Sequence, residues 1–193
     1  MTGERLNIEG FVLAGGRSSR FGSDKALARV GSGTLFGRSL RALRGLGLTP
    51  RVVSRSVAPY AGDALAFVIS ERPDEGPVEG LRAALAASAA PWALMLAVDM
   101  PEVDAAFLRV LIAARGDVAA GAPRILCFEA EGRRHPFPGL YHVSVGEVIA
   151  RLAPRSVQAL LDGAGVRALD ERTAGVTDLA RRLRNVNRVE DLT

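Results

Sequence analysis

A chain of 193 residues that is 48% hydrophobic can bury the core of one α/β domain, and no apolar run in it reaches the roughly eighteen residues of a membrane span. Its only cysteine, Cys127, allows no internal disulfide and suits a reducing compartment. The net charge of +4 would permit nucleic-acid binding, yet the arginines are scattered and alternate with acids along the chain, and a small polyanionic substrate explains them equally well. The opening stretch MTGERLNIEG puts acids and polar groups where a signal peptide needs an apolar segment. The expectation is a single domain over residues 1–193, cytoplasmic, with neither a membrane nor a nucleic acid as partner.

In chain order, NIEGFVLAGG reads as a buried first strand that ends in glycines. Thr34 is placed to cap a helix through LFGRSLRALRGLG, with glycine at its exit. RVVSRS and AFVIS read as short strands, and APYAGDAL between them as a helical turn or two. PVEGLRAALAAS has Pro77 at a helix start and strong helix formers behind it. WALMLAVDM is an apolar strand that stops at a carboxylate; DAAFLRVLIAAR and DVAAGA supply another helix and strand. This alternation predicts an α/β fold with a mainly parallel sheet covered by helices on both faces and ligands at the strand C-terminal ends. RILCFEAEGRRHPFPGLYHVS breaks the rhythm and reads as two extended segments around a Glu-Gly turn, a small antiparallel excursion that borders the site.

The loop after the first strand, LAGGRSSRFGSDKAL, carries the chemistry. Gly15 and Gly16 let backbone N–H groups approach a ligand closely, and Arg17, Arg20 and Lys25 add charge that matches phosphates. The spacing is that of neither a P-loop nor a dinucleotide fingerprint. A solvated glycine-rich turn would show the same Gly-Gly pair, but Lys25 counts against it. It is the only lysine in a chain that otherwise uses arginine for every cation, and a compact ammonium suits a phosphate oxygen.

LAVDMP is the second constellation. A strand ending at Asp99, with Pro101 stopping the ladder, puts a carboxylate at the sheet edge where the first loop also lies. Mg²⁺ held between Asp99 and nucleotide phosphates is the role this suggests, because Mg²⁺ takes one or two carboxylates and completes its shell with phosphate and water. A turn or cap aspartate has the same signature. In NVNRVEDL, Asn185 and Asn187 would turn both amides to one side of an extended chain, to support the metal or a phosphate; capping is the alternative.

Taken together, LAGGRSSRFGSDKAL, GPVEGL, LAVDMP, HPFPGLY and NVNRVEDL resemble, in order and spacing over almost the whole chain, the molybdenum cofactor guanylyltransferases of the nucleotidyltransferase superfamily. The resemblance implies a Rossmann-like three-layer fold, GTP and Mg²⁺ as ligands, and transfer of GMP to molybdopterin with release of pyrophosphate. Molybdoenzyme chaperones are implied as partners. By position, the family's nucleotide loop falls on Leu13, Ala14, Gly15 and Gly16, its phosphate lysine on Lys25 and its metal aspartate on Asp99. Its base-side asparagine is replaced by Ser54, and its next aspartate matches Glu71, with Asp74 as the second choice. GPVEG puts Glu79 where a small residue is usual.

The implied mechanism is in-line attack by molybdopterin's terminal phosphate on the α-phosphorus of GTP. Lys25, Arg20 and the loop amides would stabilise the developing charge. A phosphate nucleophile is already ionised at neutral pH, so His135 and His142 are read as structural or acceptor-side groups. Arg17, Arg20, Arg133 and Arg134 are candidates for the pterin phosphate, with solvated surface charge as the alternative for the last two. The Ser54 and Glu71 departures keep open a CTP-dependent transferase acting on molybdopterin or another phosphorylated acceptor. A non-catalytic nucleotide-binding delivery module is the remaining alternative, although such a module would have little use for both Lys25 and Asp99.

Overall fold

In a computed structural model that describes residues 7–14, 25–57, 60, 66–69, 76–115, 123–154 and 156–186, the chain folds around a seven-stranded sheet. The first strand, β1 (Ile8–Leu13), is followed by a 3-10 turn at Lys25–Leu27 and a small hairpin of β2 (Arg29–Val30) and β3 (Gly33–Thr34). Next come α1 (Leu35–Arg44), β4 (Pro50–Ser54), β5 (Ala66–Ile69), α2 (Pro77–Ala87), β6 (Trp92–Ala97) and α3 (Ala105–Ala113). The remaining elements are β7 (Ile125–Ala130), β8 (Arg133–His142), α4 (Val145–Leu152), α5 (Val157–Gly163), β9 (Val166–Leu169), α6 (Glu171–Ala174) and α7 (Leu179–Arg182).

The strand order is β5-β4-β1-β6-β8-β7-β9. β5, β4, β1 and β6 run parallel, β8 runs against both of its neighbours, and β9 is parallel to β7. The antiparallel hairpin predicted from its Glu-Gly turn is thus part of the main sheet. Glu131 and Gly132 both take positive φ, 53° and 70°, as a two-residue hairpin turn requires.

Strand alternation sends side chains into two cores. Val12, Leu94 and Leu96 join Phe36, Leu40 and Leu43 of α1 and Phe107, Leu108 and Leu111 of α3 on one face. Phe11, Ala93 and Met95 join Leu81 and Leu85 of α2, Val148 and Ile149 of α4, and Leu160 and Leu161 of α5 on the other. Each fully buried Leu or Phe contributes roughly 1.5–3 kcal/mol, so helices on both faces are held by apolar burial. The Phe107 and Phe128 rings stack 4.3 Å apart and tie α3 to β7.

The helix starts follow their sequence signals. Thr34 Oγ1 accepts from the Gly37 N–H at 3.0 Å and Gly45 closes α1; Pro77 is the first residue of α2, and Asp104 caps α3 through the Phe107 N–H at 2.8 Å. The strand expected at 117–122 lies outside the described residues, as does all but Tyr60 of the turn expected at 58–65. Sequence reading assigned no elements after residue 144, where the structure has four short helices and β9. Among the described residues no helix is long and apolar enough to cross a membrane.

Candidate active site

The parallel strands deliver their C-terminal ends to one edge. Leu13 pairs with Val53 and with Ala97, so the exits of β1, β4 and β6 stand side by side, and Ala14 continues the ladder through its N–H to the Val53 carbonyl at 2.9 Å. The first turn of α2 closes on this edge: a Cβ on Gly80 would lie 3.1 Å from Leu13 Cδ2, tight enough that the leucine side chain would have to give by a few tenths of an ångström.

Two arms meet here. After β1 the chain returns in the 3-10 turn that carries Lys25, and after β6 it turns at Asp99. Lys25 Nζ donates to Asp99 Oδ2 at 3.0 Å across 74 residues of sequence, with the two side chains only 15% and 21% exposed. The other oxygen, Asp99 Oδ1, is buried and has no hydrogen-bond partner among the described residues. A buried carboxylate oxygen left unpaired costs about 1–3 kcal/mol or more, so an aspartate held this way is suited to a further cation. No group of three or more His, Cys, Asp or Glu among the described residues could hold a metal by itself. The donor set therefore fits an ion that takes one protein carboxylate and draws the rest of its shell from phosphate and water.

The C-terminal segment reaches the same point. The Val186 N–H donates to the Asp99 carbonyl at 2.8 Å, which fixes the backbone of the carboxylate-bearing turn and brings Asn185 alongside. Asn185 lines a polar cavity of about 300 Å³ together with Ala97, Arg133, Arg134, His135 and Phe137. The cavity exists because β8 leaves β6 after the Met95–Gly139 pair and bulges: Cys127 faces Gly139, but the next residue, Phe128, faces His135. Residues 136–138 are pushed out of the ladder toward the site, and the buried Tyr141 hydroxyl donates to the Pro136 carbonyl at 2.7 Å to hold them.

Within the cavity, burial and then Arg133 lower the His135 pKa from its ordinary value, which favours the neutral ring. Arg134 is engaged by Glu129 at 3.8 Å and by Asp162 at 4.0 Å. His142 lies apart from the cavity: its Nδ1 accepts from the Ser144 N–H at 3.2 Å, its ring sits edge-on to Trp92, and burial, then Arg124, lower its pKa. Ser54 stands at the end of β4, 5% exposed, and its hydroxyl is used locally, donating to the Ser56 carbonyl at 2.9 Å and accepting from the Ser56 N–H at 3.3 Å. Glu79 is buried on α2 and held by Arg82 through two bonds of 2.7 Å. Gly15, Gly16, Arg17, Arg20, Glu71, Asp74 and Asn187 fall outside the described residues.

Of the residues singled out in the sequence, the structure brings Leu13, Ala14, Lys25, Ser54, Asp99 and Asn185 to one edge. The apolar floor of the cavity, Met100 and Leu183, had no distinguishing signal in the sequence, since single apolar residues beside a strand end look like core.

The model of a MobA-like NTP transferase domain matches residues 10–174. A probable molybdenum cofactor guanylyltransferase of Opitutus terrae is 34% identical over 206 aligned residues, covering 99% of this chain and 96% of that protein. Among solved structures, molybdopterin-guanine dinucleotide biosynthesis protein A of Archaeoglobus fulgidus superposes with a TM-score of 0.77 at 19% identity, covering 95% of this chain and 94% of that one. A Mycobacterium tuberculosis protein solved in complex with manganese is 27% identical with a TM-score of 0.64, covering 84% of this chain and 87% of that one.

Proposed function

Because this chain belongs to the MobA-like NTP transferase family and is a nucleotidyltransferase, we propose that it transfers GMP from GTP to the terminal phosphate of molybdopterin, forming the guanine dinucleotide and releasing pyrophosphate. The observation that carries this reading is the Lys25–Asp99 pair at the sheet edge, with a buried Asp99 oxygen left unpaired. A transfer between two polyanions is served by a fixed cation and a ligand for a divalent cation at one point, and a module that only bound nucleotide would not need a metal at the scissile phosphate.

In this reaction an oxygen of the acceptor phosphate forms a bond to the α-phosphorus, the bond from that phosphorus to the bridging oxygen breaks, and pyrophosphate departs with the electron pair. Lys25 neutralises charge that builds on the phosphate oxygens, a role that the N–H groups of Gly15 and Gly16 and the side chain of Arg20 would share. Asp99 would hold Mg²⁺, which when bound supplies positive charge to the phosphate oxygens. The nucleoside lies toward β4, with Leu13, Ala14 and Ser54 on its side, and Glu71 is assigned to the base by the family resemblance alone. The acceptor lies toward β8, where the cavity of about 300 Å³ offers Arg133, His135 and Asn185, with Arg17 and Asn187 as further phosphate or metal support. The acceptor phosphate is ionised at neutral pH, so no side chain has to remove a proton.

The test is incubation with each nucleoside triphosphate in turn, Mg²⁺ and molybdopterin, followed by mass analysis of the pterin. The expected product is molybdopterin plus GMP with pyrophosphate released in equal amount. A CMP adduct would reassign the nucleotide, and GTP binding without pyrophosphate release would make the protein a carrier.

A further inference from the structure

Arg38 is one of 24 arginines in the chain, and nothing in the sequence marks it out. It sits in the first turn of α1, and among the described residues no carboxylate pairs with it. Its two terminal nitrogens instead donate to backbone carbonyls of two separate segments, Nη1 to Pro101 at 3.4 Å and Nη2 to Val30 at 3.3 Å. Its Nε is buried without a partner among the described residues.

Those two carbonyls belong to the arms that carry the site. Pro101 is two residues past Asp99. Val30 lies in β2, directly behind the Lys25–Leu27 turn, which is itself bonded onward from the Ala28 N–H to the Lys25 carbonyl at 3.1 Å and from the Leu35 N–H of α1 to the Ala28 carbonyl at 3.0 Å. A cation left without an acid in a partly buried place contributes poorly to stability by itself. A planar guanidinium, however, has donors on a rigid fork and can hold two carbonyls at a fixed separation, which a single ammonium cannot do. We propose that Arg38 is a positioning residue that sets the distance between the Lys25 arm and the Asp99 arm, and so keeps the ion pair of the active site in register. This rests on reading the Lys25–Asp99 pair as the reacting centre.

Because Lys25 is the only lysine, protein labelled with ¹³C,¹⁵N-lysine gives one side-chain NMR signal, and Asp99→Asn defines where that signal lies once the pair is broken. Arg38→Met is expected to move the wild-type signal toward the Asp99→Asn position. It should also lower kcat for pyrophosphate release at least about tenfold while KM for GTP stays within about twofold, the pattern of misplaced reacting groups and not of lost substrate binding. Arg38→Lys, which keeps the cation and cannot span both carbonyls, should move the signal the same way and provides the reading should Arg38→Met fail to fold. Arg51→Met, which breaks the Glu9–Arg51 pair far from this edge, controls for general destabilisation and should leave the Lys25 signal in place. A wild-type Lys25 signal in a folded Arg38 variant, or one that does not respond to Asp99→Asn, overturns the proposal. If wild-type protein releases no pyrophosphate while the Lys25 signal still moves in the Arg38 variants, the proposed reaction fails and the positioning role stands.

Discussion

Asp99 uses its two oxygens unequally, one against Lys25 at 3.0 Å and one buried and unpaired, and the asymmetry separates the roles of charge and shape at this position. Asp99→Asn keeps the shape. Nucleotide binding in the absence of metal should survive it, whereas turnover at ordinary Mg²⁺ should fall by orders of magnitude, as steady-state rates over a Mg²⁺ titration would report; normal turnover would move the metal ligand elsewhere. Lys25→Ala should lower kcat/KM roughly a hundredfold, about 3 kcal/mol of transition-state stabilisation, with the fold intact. A fully active Lys25→Arg would show that any cation suffices there. The base is read at another residue. Guanine presents N–H donors, so a site selecting it needs acceptors, and the Ser54 hydroxyl is already engaged by the backbone of Ser56. GTP is therefore expected to be preferred over CTP and ATP by a moderate margin, held or raised by Ser54→Asn and reduced by Glu71→Gln. Comparison of kcat/KM for the three nucleotides decides this, and a parent enzyme that favours CTP would overturn the guanylyl assignment.

The element that shapes the cavity proposed for the acceptor is β8, and its bulge depends on a residue with no side chain. A Cβ on Gly139 would run into the Pro136 carbonyl and the Tyr141 ring, the two groups whose hydrogen bond holds the bulge. Gly139→Ala should destabilise the protein by roughly 1–3 kcal/mol, as overpacking of a tight core does, visible as a lower urea midpoint with an unchanged slope. It should also raise KM for the acceptor more than KM for GTP; equal effects on both would detach the bulge from the acceptor. The elements that sequence made legible share one property: a local chemical cause. Thr34, Pro77 and Asp104 start their helices through their own side chains or ring, and Glu131–Gly132 closes a hairpin through its own dihedral angles. The bulge had no such cause, because Pro136 and Pro138 each remove a ladder N–H donor without saying where the strand resumes. The short helices after residue 144 were silent for a related reason: α6 and α7 have four residues each, too few to show a helical period.

At the scale of the whole molecule, the site exists because β8 reverses direction. The parallel strands bring the ends of β1, β4 and β6 to one edge, and an antiparallel β8 brings its beginning to that same edge, so the turn that carries Asp99 and the cavity proposed for the acceptor share one end of the sheet. The alternation of strands and helices predicts the edge, and the strand-terminal Asp99 was legible from it. The contacts of Lys25, Arg38 and Val186 with that turn were not, since each joins segments distant in sequence. Whether the sheet opens as one unit is tested by Cys127, which lies in β7 between Gly139 of β8 and Ala168 of β9 and is fully buried. Burial, against a lowering by Arg134, pushes its thiol up to about 12, so at pH 8 only about one native molecule in ten thousand would carry the thiolate even if a reagent could reach it. Labelling must therefore proceed through opened protein. If the β8-β7-β9 half separates only with the rest of the sheet, the free energy derived from labelling rates, and its dependence on urea, should equal those of global unfolding followed by Trp92 fluorescence. Labelling that is faster than global unfolding and nearly insensitive to urea would instead identify this half of the sheet as a separate, weaker unit, and the acceptor cavity would then belong to the part of the fold that opens first.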